Sequence, residues 1–198
     1  MAAAKKGAAL IAVGIVIGIV VLIIIIFSAW FISARNNLVA MDEQIDSAWA
    51  EIDNQLQRRA DLIPNLVNTV KGYASHEEEI FTDIANARSK LAGSGTVQEK
   101  AEGYNQMQSA LSRLLVVVEN YPDLKANQNF TRLMDELAGT ENRIAVARKR
   151  YNDTVRTFNT KIRMFPTSII ANSLGMEKQP YFEISEEARE TPEVDFES

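Results

Sequence analysis

Residues 130–165, FTRLMDELAGTENRIAVARKRYNDTVRTFNTKIRMF, carry an apolar side chain at every seventh position: Phe130, Leu137, Ile144, Tyr151, Phe158 and Phe165. Leu133, Thr140, Ala147 and Thr154 fill the intervening seam. A sustained heptad row of this kind marks a long helix packed along its length against others. The spacing predicts a helix from about Gln128 to Phe165, closed by Pro166. One or two further turns follow over Ser168–Leu174, with Gly175 as C-cap.

Reading toward the N-terminus, the same steps of three and four recur at Leu38, Asp42, Ile45, Trp49, Ile52, Leu56, Arg59, Ile63, Leu66, Val70 and Tyr73. Only Asp42 and Arg59 interrupt the apolar row. Pro64 lies inside it and cannot donate to the Ala60 carbonyl, so a kink is expected there. Ser75 with Glu78, and Thr96 with Glu99, read as capping boxes opening two shorter helices. Gly93-Ser94-Gly95 separates these two, and Pro122 ends the second. No stretch alternates apolar and polar residues over a strand's length. The expected fold is all-α, an antiparallel up-and-down helical bundle of about four helices, because short turns make consecutive helices antiparallel neighbours.

Further upstream, residues 7–34 hold no charged residue and include the run Ile15-Val-Ile-Gly-Ile-Val-Val-Leu-Ile-Ile-Ile-Ile-Phe27. As a helix this spans roughly 40 Å, against a hydrocarbon core of about 30 Å. It reads as a single-pass transmembrane helix with Trp30 and Phe31 in the interfacial belt. A cleaved signal peptide fits poorly, since the apolar core is too long and Trp30, Phe31 and Ile32 stand where small residues precede a cut. Nothing breaks the helix between Ala34 and Leu38, so the span is expected to run into the first bundle helix. Lys5 and Lys6 before the span, against Arg35 after it, place the N-terminus in the cytoplasm and the bundle outside. The expected organisation is a short tail (1–6), the membrane helix (7–34), the bundle (35–176) and an acidic, disordered tail (177–198). Residues 183–198 of that tail contain seven acids and one Arg. The long helix starting near Gln128 brings Phe165–Met176 back to a membrane-proximal base. Trp30, Phe31, Phe165, Ile169, Ile170, Tyr181 and Phe182 are its candidate lipid contacts.

The 198 residues have a net charge of -5, with basic residues dispersed among acids, which argues against nucleic acid. The absence of Cys removes disulfides, thiolate catalysis and thiolate metal sites. A single His, His76, sits at the start of a helix among glutamates and reads as a solvated residue. No Glu-x-x-His, Gly-x-Ser-x-Gly or phosphate-binding glycine loop occurs. No cofactor or catalytic residue is therefore expected.

Three polar clusters exceed what solubility needs: Arg58, Arg59 and Asp61; Glu119, Asn120, Asp123 and Asn127; and Glu141, Asn142 and Arg143. Arg59 on the seam is the informative member, because a buried guanidinium must be paired. Glu119, Asp123 or Glu141 supplies the carboxylate. The competing reading makes Glu119, Asp123 and Glu141 a metal-binding or catalytic set in the bundle. Small residues at Ala48, Ala85, Ala87, Ala145 and Ala147 offer faces for close helix contact. Membrane anchoring raises the local concentration of copies, so a homo-oligomer is expected.

The strings Gln57-Arg-Arg-Ala-Asp-Leu-Ile-Pro-Asn-Leu-Val67, Thr69-Val-Lys-Gly-Tyr-Ala74, Glu119-Asn-Tyr-Pro-Asp-Leu-Lys-Ala-Asn127, Thr140-Glu-Asn-Arg-Ile-Ala145, Phe165-Pro166 and Tyr181-Phe182-Glu183 make the chain resemble the LemA family of bacterial membrane proteins. Arg35 departs from the family, standing where an aromatic residue is common. The resemblance implies a single-pass anchor carrying a helical bundle, in a family without a defined reaction. Its members often lie beside genes for membrane proteases or other envelope proteins, and a relative takes part in building magnetosome membranes. This implies scaffolding or envelope maintenance, with the bilayer, a second copy, and a membrane protease or other envelope protein as candidate partners.

Overall fold

The computed structural model describes residues 2–74 and 76–184, of which 2–13 are described by their backbone alone. Among the described residues the regular elements are all helices: α1 Ala2–Lys71, α2 Glu78–Ala92, α3 Val97–Val118, α4 Pro122–Lys125, α5 Gln128–Lys161 and α6 Thr167–Ser173. The described residues fall into two compact units. One gathers those up to Glu43 with Phe158–Lys178; the other gathers Gln44–Thr157 with those from Gln179 onward.

α1 is a single helix of 70 residues, so the apolar run and the first heptad row share one element. Its early part is long and apolar enough to cross a membrane. The large apolar side chains from Ile15 to Phe27 are 48–62% exposed, uncovered by the rest of the described residues. A continuous apolar surface of this extent far exceeds the few hundred Å² that a water-soluble monomer shows. In the same unit Leu38, Phe158, Ile162, Ile170 and Ala171 form a small core. α5 ends at Lys161, four residues before the expected Phe165. The residue before a proline is driven out of helical backbone. The chain tightens through Arg163 N–H to Thr160 O (3.1 Å) and Met164 N–H to Lys161 O (3.3 Å). Phe165, although on the heptad row, is consequently 81% exposed. α6 closes as expected at Gly175 (φ 67°). Met176 N–H bonds Ala171 O at 3.0 Å and Gly175 N–H bonds Asn172 O at 3.2 Å, a Schellman pair that satisfies two carbonyls at the helix end.

In the second unit the seam residues of α1, α2, α3 and α5 make the main core. Ile52, Leu56, Ile63 and Leu66 of α1 are buried, as are Ile84, Leu91, Tyr104, Met107, Ile144 and Tyr151 of the other three. Pro64 does not end α1. The Ala60 carbonyl that it cannot serve accepts instead from Arg88 Nε of α2, at 2.9 Å. The Thr96–Glu99 capping box is present in both directions: Glu99 N–H to Thr96 Oγ1 at 3.2 Å and Thr96 N–H to Glu99 Oε2 at 2.7 Å. The other expected box pairs Ser75 with Glu78. Ser75 lies outside the described residues, and α2 starts at Glu78 with Glu77 at its N-cap. Here Glu78 and Glu79 favour the positive end of the helix dipole instead. Gly103 brings α3 close to α2, since a β-carbon there would lie 2.8 Å from Lys90 Cβ.

The tail differs from expectation. Residues 177–184 are described, and Phe182 is fully buried against the bundle. Residues 185–198, where disorder is also expected, lie outside the described residues. Ala48, Ala87 and Ala147 are also buried in the chain's own core, leaving Ala85 and Ala145 with accessible surface.

Candidate functional site

Arg59 projects from α1 into the second unit and is 3% exposed. Its Nη1 donates to Glu141 Oε2 of α5, and its Nη2 donates to Gln108 Oε1 of α3 at 2.5 Å. The second Glu141 oxygen accepts from the Tyr104 hydroxyl of α3. The guanidinium carbon stands 5.6 Å from the centre of the Tyr104 ring, a cation–π distance. One carboxylate therefore satisfies a cation and a phenol at once and ties three helices in register. Burial, reinforced by the bond to Glu141, pushes the Tyr104 hydroxyl far above its ordinary 10.0, with Arg59 opposing in part. Tyr104 stays a neutral donor. Among the described residues the buried Arg59 Nε has no partner, and the guanidinium is held by its two terminal nitrogens.

A second buried cation lies on α3. Lys100, 3% exposed, donates to Asp53 Oδ1 of α1 at 2.6 Å and to Leu91 O at 2.7 Å. Leu91 O belongs to the last turn of α2, where carbonyls lack helical donors, so the ammonium also caps α2.

Beside the Arg59 network lies an aromatic cluster closed by the chain's own later segment. Phe182 packs with Trp49 at 5.9 Å and Tyr104 at 6.0 Å between ring centres, and Trp49 lies 5.7 Å from Tyr151. Asn152 holds the Phe182 backbone at both groups, accepting from its N–H at 2.9 Å and donating to its carbonyl at 3.1 Å. The Tyr151 hydroxyl donates to Pro180 O at 2.9 Å. Gln179–Phe182 is thus a strap, gripped by its backbone and keyed by one aromatic side chain. Burial, with Asp46 adding, raises the Tyr151 hydroxyl to about 12.

Of the polar residues singled out from sequence, the structure brings together Arg59 and Glu141. Arg58, Asp61, Asn120, Asp123, Asn142 and Arg143 are exposed. Glu119 pairs with Lys125 at 2.6 Å on the surface. Asn127 caps α5, accepting from Asn129 and Phe130 N–H at 2.9 and 3.3 Å, and its amide donates to Tyr73 at 3.2 Å. Pro122 opens α4 at its first turn. Glu119, Asp123 and Glu141 do not form one site: no group of three or more His, Asp or Glu among the described residues is arranged to hold a metal. Of the lipid-contact candidates, Trp30 and Phe31 (each 36%), Phe165 (81%) and Ile169 (61%) are exposed, and Tyr181 is half-buried. Ile170 and Phe182 are core residues, which takes them out of that set.

Sequence reasoning missed Tyr104, Gln108, Lys100, Asp53, Arg88 and Asn152 as polar partners. Lys100 carried a signal, since it falls on the same helical face as Tyr104, Met107, Leu111 and Leu114. Asn152 carried none, because its partners are backbone groups thirty residues away.

Comparison with known proteins finds relatives that cover most of the chain. The magnetosome protein MamQ 2 of Paramagnetospirillum magneticum is 26% identical over 195 residues, covering 85% of this chain and 71% of the relative. Protein LemA of Metamycoplasma hominis is 28% identical over 162 residues, covering 81% and 74%. The magnetosome protein MamQ of Magnetospirillum gryphiswaldense is 26% identical over 196 residues, covering 86% and 72%. The LemA family model matches residues 48–196, from the alanine beside Trp49 to beyond the strap, and the chain belongs to the LemA family.

Proposed function

We propose that this chain is a non-enzymatic, membrane-anchored helical scaffold of the bacterial envelope, which self-associates or recruits a membrane partner through its bundle. The observation that carries this reading is the composition of α1. One helix holds an uncovered apolar run from Ile15 to Phe27 and, further along, the buried seam residues Ile45, Ile52 and Leu56. Support also comes from the way the charged groups of the core are used. Arg59 with Glu141, and Lys100 with Asp53, have their charges consumed in joining helices. Relatives named as magnetosome proteins support a part in organising membranes. The apolar run crosses the cell membrane once, with Lys5 and Lys6 on the cytoplasmic side and the bundle outside.

The test uses the lack of native cysteine. Single cysteines at the exposed Ser94 and Gln128 are labelled in intact cells with a membrane-impermeant maleimide, and fractions are stripped with alkaline carbonate. Labelling from outside and retention in the stripped membrane are expected. Release by carbonate contradicts the anchor. Labelling only after permeabilisation contradicts the orientation.

A further inference from the structure

The turn between α5 and α6 carries a surface that the bundle does not use. Met164 is 56% exposed, Phe165 81% and Ile169 61%. Large apolar side chains at such exposure, clustered within six residues, have no role in the core beneath them, which is made by Ile162, Thr167, Ile170 and Ala171. The charge around them is one-sided. From Phe158 to Met176 the sequence contains Lys161 and Arg163 and no acid, in a chain whose net charge is -5. Both cations are exposed.

Position adds a third observation. Phe158–Lys178 forms one compact unit with the beginning of α1. Leu38 belongs to that unit and is fully buried. Leu38 follows Phe31 by seven residues, or about 10 Å along the helix. The headgroup layer extends several ångströms beyond the hydrocarbon on each side. Exposed apolar side chains flanked by cations are the composition that settles into this layer, the apolar groups among upper acyl chains and the cations on phosphates.

We propose that the α5–α6 turn is a second, interfacial anchor: Met164, Phe165 and Ile169 insert into the bilayer surface while Lys161 and Arg163 bind anionic lipid headgroups. This rests on the reading of residues 7–34 as a membrane span. Two contacts with the bilayer, one spanning and one interfacial, restrain the chain's rotation about the span, as a single helix cannot.

The experiment uses the full chain reconstituted in phospholipid vesicles. Single cysteines at Met164 and Ile169 carry an environment-sensitive fluorophore, and a third at Trp30 tests the span. Quenching by nitroxide-labelled lipid is compared with quenching by aqueous iodide. The labels at 164 and 169 are expected to be quenched by lipid nitroxide and protected from iodide. In vesicles of zwitterionic lipid alone, or with Lys161→Gln and Arg163→Gln, the docked-to-undocked ratio should fall about fivefold per lost cation contact. Quenching of 164 and 169 by iodide alone, with Trp30 still lipid-quenched, overturns the second anchor and leaves the span intact. Lipid quenching insensitive to headgroup charge and to both Gln variants overturns the role of the cations. Failure at Trp30 overturns the span reading itself.

Discussion

Glu141→Ala removes the carboxylate that serves Arg59 and Tyr104 together, and its cost can be worked from the geometry. Arg59 is 3% exposed and keeps its bond to Gln108 and its place over the Tyr104 ring, while the Tyr104 hydroxyl loses its acceptor. Breaking a buried ion pair from one side costs about 3–5 kcal/mol. The Glu141 side chain is 34% exposed, so water reaches the vacated position and lowers that figure. A loss of about 2–3 kcal/mol results, of which an unpaired phenol accounts for roughly 1 kcal/mol. Arg59→Met fills similar volume without charge, and in the Arg59→Met/Glu141→Ala double variant no buried cation remains to be stranded. The double variant should therefore cost less than the sum of the singles, with a coupling of about 1–2 kcal/mol. Urea denaturation in mild detergent, followed by far-ultraviolet circular dichroism, measures all four proteins. Additive costs, or a Glu141→Ala effect below roughly 0.5 kcal/mol, would refute the claim that this carboxylate locks the helices.

Other outcomes follow from neighbouring features. Gly103→Ala places a carbon 2.8 Å from Lys90 Cβ and should destabilise by about 1–2 kcal/mol. Gly139→Ala, with nothing within 4 Å inside α5, should stabilise by about 0.5–1 kcal/mol, and the same denaturation experiment separates the two. Asn152→Ala removes both bonds to the Phe182 backbone and Phe182→Ala removes its key, so each should loosen the strap. Trypsin cleavage after the exposed Lys178 reads this directly and should accelerate several-fold in both variants. The Tyr151 hydroxyl, at about 12 when folded against 10.0 unfolded, keeps its proton longer in the folded chain. Its contribution is fully present below pH 10 and is lost as pH rises toward about 12, so stability should fall over that window. Tyr151→Phe should flatten the fall, and a wild-type stability independent of pH there would count against it.

The sequence exposed those features that repeat or punctuate. The apolar run, the heptad rows, the Thr96–Glu99 box and the Gly175 cap all act through residues close in the chain; each stands as expected except at the ends of the rows, where Tyr73 and Phe165 are exposed. Arg59 announces its need for a carboxylate by interrupting an apolar row, and its partner Glu141 is one of three acids that could meet it. Which of the three met it depends on how α5 aligns with α1, and heptad spacing alone leaves that alignment open. The strap was hidden for another reason. Phe182 follows the last periodic segment and precedes an acidic run, so local composition spoke for solvent. Its place is fixed by backbone bonds to Asn152 and by ring packing on Trp49 and Tyr104. Pro64 was visible as a gap in the helix ladder, but the donor that fills the gap, Arg88, comes from a separate helix. The early end of α5 followed from a rule legible at Pro166 and outweighed by the heptad at Phe165.

The central proposal is a membrane scaffold that acts by assembling. It is tested most directly by native mass spectrometry of the full chain, extracted in mild detergent from membranes of cells expressing it at its natural level. Assemblies containing more than one copy, or one copy with a stoichiometric membrane partner, are expected. A mass of one chain alone at every detergent concentration, with no co-extracted protein, would contradict it.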